Sequence, residues 1–349
     1  MQIRFHQVLI TILVLVLFVQ SCATATYPCS DPTQIPTTVT TEPSIRIPTQ
    51  EDWVDHGIIL EAGVQGEWDL YLWGGFAFSV IKKNDTYYLY YQGSSDYRTE
   101  YDETVLWRAI GVATSNDGIH YDKYAGNPIL TWFPNQYGEE GAVSSGVTQG
   151  ELGETILFYG ANSQESPTTV NADVRAASSV DGFSFTDLGV ALDRQGKFVW
   201  GSGDELFPVD VIYDSGRWLV YYIPNGTVES GLLGVACGNQ YNTLTQSSAV
   251  TSNGQSISVW GTAGHVKLNS DTYALILNNV RDRSTEVRLM SLETPNVLSE
   301  PVVVYQFNEV QQAVILLDEE KETWFMYYRT HENSYGVKLA PLNEGYSAP

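Results

Sequence analysis

Asp214-Ser-Gly-Arg-Trp-Leu-Val-Tyr-Tyr222 is a polar turn that runs straight into an unbroken apolar and aromatic stretch, and the chain writes this signal five times. The other copies are Lys83-Asn-Asp-Thr-Tyr-Tyr-Leu-Tyr-Tyr91, Glu151-Leu-Gly-Glu-Thr-Ile-Leu-Phe-Tyr159, Asn269-Ser-Asp-Thr-Tyr-Ala-Leu-Ile-Leu277 and Glu319-Glu-Lys-Glu-Thr-Trp-Phe-Met-Tyr327. Each run is too short for an ordinary helix and the right length for a buried strand entered through a hairpin. A second apolar element follows every copy: Gly111-Val-Ala-Thr-Ser115, Arg175-Ala-Ala-Ser-Ser179, Gly234-Val-Ala-Cys-Gly238, Val287-Arg-Leu-Met-Ser291 and Gly336-Val-Lys-Leu-Ala340. Two of these continue into matching turns, Ser115-Asn-Asp-Gly-Ile-His-Tyr121 and Ser179-Val-Asp-Gly-Phe-Ser-Phe185. There Asp-Gly supplies a tight turn with positive φ, and the closing aromatic can pack beneath it. Asn127-Pro-Ile-Leu130, Gly189-Val-Ala-Leu192 and Pro301-Val-Val-Val304 then close their units. The repeat is a four-stranded sheet of roughly 50 to 65 residues, the format of a propeller blade.

The fifth unit runs out of chain near Leu342, after its third strand, and Gly57-Ile-Ile-Leu-Glu61 ahead of the first unit supplies a matching fourth. The expected fold is therefore all-β: a five-bladed β-propeller of four-stranded antiparallel blades, the ring closed by an N-terminal strand in the last blade. Closure of this kind hides sheet edges. A β-sandwich would use a similar number of strands without explaining a turn chemistry that recurs at blade length. The pattern offers no long amphipathic helix. With 43% hydrophobic residues in 349, one large core domain over residues 51–349 is affordable.

Ahead of that domain, residues 1–21 read as a secretory signal, with Arg4 followed by an apolar run from Val8 to Val19 that is too short to span a membrane. Two processing outcomes fit. Val19-Gln-Ser-Cys22 resembles a bacterial lipobox, which would make Cys22 the lipidated first residue and the only membrane attachment. Ala23-Thr-Ala25 would instead suit signal peptidase and release a soluble protein. Residues 22–50 form a Thr/Pro-rich tether suited to holding a domain at a bacterial surface or in the periplasm. Cys29 lies in the tether and Cys237 in a strand of the third unit, and neither has zinc-type spacing. A formal charge of -23, from 41 acidic against 18 basic residues, sets up a field that repels nucleic acid and other polyanions.

Chemistry in such a ring is sought where the inner strands meet the axis. Leu72-Trp-Gly-Gly75, Val199-Trp-Gly-Ser202 and Val259-Trp-Gly-Thr262 repeat Trp-Gly just ahead of an inner strand. Glu205 and His265 each stand five residues after such a tryptophan. The acidic residues of these segments are Asp69, the neighbours Glu139 and Glu140, and the pair Asp204 and Glu205. Asp210 alternates with Val209 and Val211 and could turn a carboxylate inward. His120 and His331 read as surface or turn residues, and Asp117 and Asp181 as turn stabilisers. Cleavage of a glycosidic bond needs one carboxyl to protonate the leaving oxygen and one carboxylate to activate water or attack the sugar carbon. Glu205 and Asp69 are candidate catalytic carboxylates, Asp204 a neighbour that tunes Glu205 by like-charge repulsion, and His265 a further catalytic candidate. Trp68, Trp73, Trp200 and Trp260 could stack on sugar rings, with Glu140 as a polar contact.

Over residues 53 to 342 the chain resembles the five-bladed propeller glycoside hydrolases, the broad group of families 32, 43, 62, 117 and 130. Tyr87-Tyr-Leu-Tyr-Tyr91, Ile110-Gly-Val-Ala-Thr-Ser-Asn-Asp-Gly-Ile119, Glu205-Leu-Phe-Pro208 and Thr262-Ala-Gly-His265 carry the resemblance, the last being similar to the Gly-x-Gly-His of family 43. It implies a general acid from the third blade, matched by Glu205, and an axial histidine that helps to hold a metal or water, matched by His265; calcium is implied only in this way. It also implies an Asp-Pro base at the head of the first inner strand, where this chain has Ala77-Phe-Ser-Val80. No redox cofactor, nucleotide loop or metal-ligand cluster is evident in the sequence. The expected function is an exported or lipid-anchored glycosidase acting on a neutral oligo- or polysaccharide, and the alternative is a glycan-binding propeller without catalysis.

Overall fold

The computed structural model describes residues 45–73, 78–94, 108–131, 142–166, 169–193, 205–225, 232–257, 263–279, 282–308 and 312–342. The leader, Cys22, Cys29, Ala77, Glu139, Glu140, Trp200, Asp204 and Trp260 lie outside these residues, and Glu205 is described in its backbone only. The described chain forms five antiparallel sheets around one axis. Their inner strands are Phe78–Lys83, Ala142–Gln149, Glu205–Asp214, Ala263–Lys267 and Ala313–Asp318. Each touches the inner strands on either side of it, which closes a ring.

The second strands, Thr86–Ser94, Thr155–Ser166, Arg217–Asn225, Thr272–Asn279 and Thr323–Arg329, contain the five repeated runs. Their unbroken apolar character has a simple cause. In blade 3, Leu219, Tyr221 and Ile223 pack against blade 4, while Trp218, Val220 and Tyr222 pack against blade 2. Both faces of the strand are buried, so the usual alternation of apolar and polar residues disappears. A separate core fills every interface between neighbouring blades. The hairpin of blade 3 turns at Ser215-Gly216, with φ of +51° and +77°, the backbone that a tight two-residue hairpin loop requires.

Ring closure follows the expectation. Val54–Glu61 pairs antiparallel with Ser334–Pro341, and blade 5 reads Val54–Glu61, Ser334–Pro341, Thr323–Arg329, Ala313–Asp318 from rim to axis. Two outer edges differ from the sequence reading. Blade 1 does not use 127–130 as a full fourth strand; Asp122–Lys123 pairs there instead. Pro128 has no N–H for a ladder, and the side chain of Asn127 takes over, its Oδ1 accepting from Val112 N at 2.9 Å while its Nδ2 donates to Val112 O at 2.9 Å. Blade 3 has a fourth strand, Thr245–Ala249, that the apolar pattern did not mark because it is mostly polar.

The two Asp-Gly turns lock blade to blade. Asp117 Oδ1 accepts from the N–H groups of Ile119 and His120 at 2.8 Å each, and Asp181 Oδ1 from Phe183 and Ser184 at 2.8 and 2.7 Å. Tyr327 donates to Gly118 O at 3.2 Å across the blade 5–blade 1 boundary, and Tyr90 to Gly182 O at 3.1 Å across the next. The aromatics that end these turns pack as expected, Tyr121 on Tyr327 and Phe185 on Tyr90, with ring centroids 6.0 and 5.9 Å apart. Gly182 has φ +82°, and a Cβ there would lie 2.8 Å from Tyr88 Cε1. Gly182→Ala is therefore expected to cost about 1–3 kcal/mol from strain and overpacking, read as a lower denaturant midpoint at unchanged slope.

Candidate active site

The inner strand comes first in every blade, so all five run the same way along the axis. Their first residues, Glu205 among them, form one rim of a central channel and their last residues form the other. Between the two lies a cavity of about 300 Å³ walled by all five blades. Blade 1 contributes Ser79 and Lys82, blade 2 Thr148 and Gln149, blade 3 Asp210 and Tyr213, blade 4 His265, and blade 5 the apolar residues 314–316.

Inside this channel the fold brings together two residues 55 positions apart. His265 Nδ1 lies 3.0 and 3.1 Å from the two carboxylate oxygens of Asp210. A bulge between Pro208 and Asp210 interrupts the alternation of the blade 3 strand. Downstream of it Asp210 faces blade 4, the side to which Ile212 also packs. Asp210 is only 5% exposed, and Val211 N donates to its Oδ1 at 2.9 Å. Burial opposes a charge on His265, but the adjacent Asp210 carboxylate, by its charge and its hydrogen bond, outweighs this and raises the imidazole above its ordinary range. Among the described residues none bonds His265 Nε2. With Nδ1–H held by the carboxylate, Nε2 is an acceptor when the ring is neutral and a donor when it is charged.

Calcium near His265, implied only by resemblance, finds a poor donor set. Calcium takes six to eight oxygens, whereas both oxygens of Asp210 are turned to a ring nitrogen, and no three His, Cys, Asp or Glu side chains converge among the described residues.

Asp69, the candidate base, lies outside this cavity. Its carboxylate is 3% exposed, accepts from Lys123 Nζ at 2.6 Å and from Tyr91 OH at 3.2 Å, and is absent from the cavity lining. Trp68 is wedged into the blade. It stacks on Tyr91 at 5.6 Å and occupies the space that side chains at Gly93 and Gly111 would need, 2.7 and 2.6 Å from a Cβ there. The sequence does not signal Lys123, since it lies in a polar stretch 54 residues from its partner.

Trp73 belongs to the first rim. The segment before it is clamped to blade 5: Asn333 Oδ1 accepts from Leu72 N at 2.7 Å, Arg329 Nε donates to Leu72 O at 2.9 Å, and Tyr335 OH donates to Trp73 O at 2.5 Å. Its indole N–H donates to Ser94 at 2.9 Å, and the Arg108 guanidinium lies 4.5 Å from the ring centre. One indole face is thus engaged by a cation in the manner of a cation–π contact. Of the remaining candidates, Glu205 begins the blade 3 inner strand at this same rim.

No family model and no curated protein matches the chain. Its fold is shared with solved structures. A glycosyl hydrolase from Bacteroides ovatus aligns with TM-score 0.57 and 12% identity over 87% of this chain and 99% of that one. The GH43_1 enzyme from Xanthomonas citri, solved with xylotriose, aligns with TM-score 0.51 and 12% identity over 84% and 92%. A protein of unknown function from Dyadobacter fermentans aligns with TM-score 0.55 and 12% identity, over 84% of each chain. The five-bladed architecture is that of the glycosyl hydrolase propellers.

Proposed function

We propose that this protein is an exported glycoside hydrolase acting on a neutral oligo- or polysaccharide, with Glu205 as the general acid. The observation that carries the reading is the channel. Five inner strands surround a polar cavity that holds an imidazole paired with a buried carboxylate, below a rim at which Glu205 begins its strand, in a fold common to glycosidases of known structure. Asp204, next to Glu205, favours the protonated acid by like-charge repulsion. Trp73 at that rim would supply an apolar face for a sugar ring, and the Trp-Gly repeat in the sequence offers Trp200 and Trp260 for the same purpose. The charge of -23 favours a neutral glycan over a polyanionic one. Export is supported by the apolar leader and by Cys237, which is disulfide-bonded; such bonds persist in oxidising compartments. Lipidation at Cys22 would hold the enzyme at a membrane through the tether.

A second reading, a glycan-binding propeller without turnover, is favoured by two specific observations: Ala77-Phe78 where a family 43 base would stand, and the engagement of Asp69 by Lys123. Incubation with arabinan, xylan, fructan and manno-oligosaccharides, followed by chromatography of the products, separates the two. The expected result is hydrolysis of at least one substrate and its loss by a factor of about 10²–10⁴ in Glu205→Gln. Binding to a glycan with no product from any of the four establishes the second reading.

A further inference from the structure

Cys237 is disulfide-bonded, and the chain has two other cysteines, Cys22 and Cys29, both outside the described residues. Both processing outcomes single out the same one. Cleavage ahead of Cys22 puts a lipid on that sulfur, and cleavage after Ala25 removes Cys22 with the leader. Cys29 is the thiol that either outcome leaves. We infer that Cys29 is the partner of Cys237, and that residues 30–44 are drawn across the outer edge of blade 4 as a strap. This rests on the export reading above.

Two points on the described fold fix the ends of the strap. Cys237 stands opposite Leu219, and Leu219 opposite Ile212, two residues before the inner strand of blade 3 ends. The sulfur therefore lies toward the second rim, the one formed by the last residues of the inner strands. Its side chain belongs to the core between blades 3 and 4, where Arg217 Nη2 is 3.8 Å from Sγ and Arg217 Nη1 donates to Leu292 O of blade 4. The other end is Ile45, which with Ile47 packs against the core between blades 4 and 5. The direct way from one groove to the next leads over blade 4.

What that blade offers an extended chain is its outer edge. Val302–Gln306 is the last strand of its sheet, and among the described residues no strand pairs with its outer side. Val302 and Val303 are 58% and 51% exposed there. The N-terminal segment already reaches this edge, since Gln306 N donates to Gln50 Oε1 at 2.6 Å. Cys29 and Ile45 are sixteen positions apart, a reach of at most about 55 Å. Passing one blade takes two sheet spacings of about 10 Å each, so the chain is long enough to follow the edge lengthwise. Its middle is suited to that path. Thr37-Thr-Val-Thr-Thr41 is a run of five β-branched residues between Pro36 and Pro43, a composition that favours extended backbone, and it matches the five-residue strand Val302–Gln306 in length. Paired along that strand, it covers the two valines and gives the open edge its partners, an addition of a strand from the same chain.

The staple also sets where an anchor would hold the domain. Cys22 and Cys29 are seven positions apart, so a lipid on Cys22 would lie within about 25 Å of the second rim at blades 3 and 4. The opposite rim, where Glu205 begins its strand, would then face away from the membrane.

The test uses the full chain exported from its own leader. Mass spectrometry of a non-reduced digest is expected to find a peptide holding Cys29 joined to one holding Cys237. Hydrogen exchange then reads the strap. In Cys29→Ser the amides of Val302–Gln306 should exchange about 2–10-fold faster than in the wild type, the effect of losing one backbone hydrogen bond, while the outer strand of blade 2, Thr186–Leu192, keeps its rates. Should Cys29→Ser not fold, the wild type before and after reduction gives the same comparison. Cys22 joined to Cys237, a reduced Cys237, or unchanged exchange at Val302–Gln306 after release would overturn the assignment. In each of those cases a chain found cleaved ahead of Cys22 or after Ala25 leaves the export reading standing. A chain that retains residues 1–21 ends both.

Discussion

A chain beginning at Ala62, without the strand Val54–Glu61, is expected to yield no soluble monomer, seen as aggregation in size-exclusion chromatography and loss of a cooperative thermal transition. Three of the side chains removed are core: Trp53, Ile59 and Leu60 are 8%, 8% and 4% exposed. At about 1.5–3 kcal/mol for each buried side chain, they contribute roughly as much as the entire net stability of an ordinary domain, about 5–15 kcal/mol. The loss does not end there. Asp55, which accepts from both Lys338 and Tyr328, goes with the strand, and Ser334–Pro341 becomes an open edge ready to pair with another molecule. A chain beginning at residue 45 also loses the cysteine bonded to Cys237 but keeps Val54–Glu61, so the difference between the two truncations isolates the contribution of residues 45–61.

Asp318→Ala is expected to be the most damaging single substitution, by about 3 kcal/mol, measured in denaturant at neutral pH. Asp318 is 2% exposed, accepts from Lys82 Nζ at 3.0 Å and also from Tyr87 OH, and these contacts join the last blade to the first. Removing one partner of a buried pair leaves the others desolvated and unmatched, which costs more than the pair contributed. The same clip recurs between blades 3 and 4, where Asp214 Oδ2 accepts from Lys267 Nζ at 2.6 Å and from Tyr273 OH at 2.5 Å. Its pH signature has a definite sign. Burial favours the protonated acid at both sites, but hydrogen bonds from Tyr87 and Lys82, and from Lys267 and Tyr273, outweigh it and hold both carboxyls below 3.8. Their contribution is present above pH 3.8 and is lost as pH falls below it. Tyr87 and Tyr273 shift the other way, by burial first and then by the carboxylates, and the Lys82 ammonium is held above 10.5 by Glu320 and Asp318. These contributions persist below about pH 10 and are lost above it. The wild type should therefore lose stability at both extremes, and Asp318→Ala should flatten both limbs.

Much of the fold is legible in the sequence. Blade number, the second and third strands of every blade, the Asp-Gly turns with their aromatics and the closing strand all lie where the repeat put them. Outer strands were harder. Thr245–Ala249 is polar and carries no apolar signal, and in blade 1 an asparagine side chain does the work of a strand backbone. At the site, the inward reading of Asp210 agrees with its bond to His265, while the contacts of Asp69 with Lys123 and of Trp68 with Tyr91 carry no mark in the sequence. An acid next to a tryptophan looks the same in sequence whether it faces a sugar or a lysine.

The sequence alone determined the all-β character, the count of blades and the way the ring closes, because these depend on residues a few positions apart: a turn, the run that follows it, and burial on both faces of that run. Only the tertiary structure decided which charges meet. Asp210 with His265, Asp69 with Lys123 and Asp318 with Lys82 are pairs of residues 55, 54 and 236 positions apart. Electrostatic pairing acts over a few ångströms of space, so separations of this size along the chain carry no local mark of it.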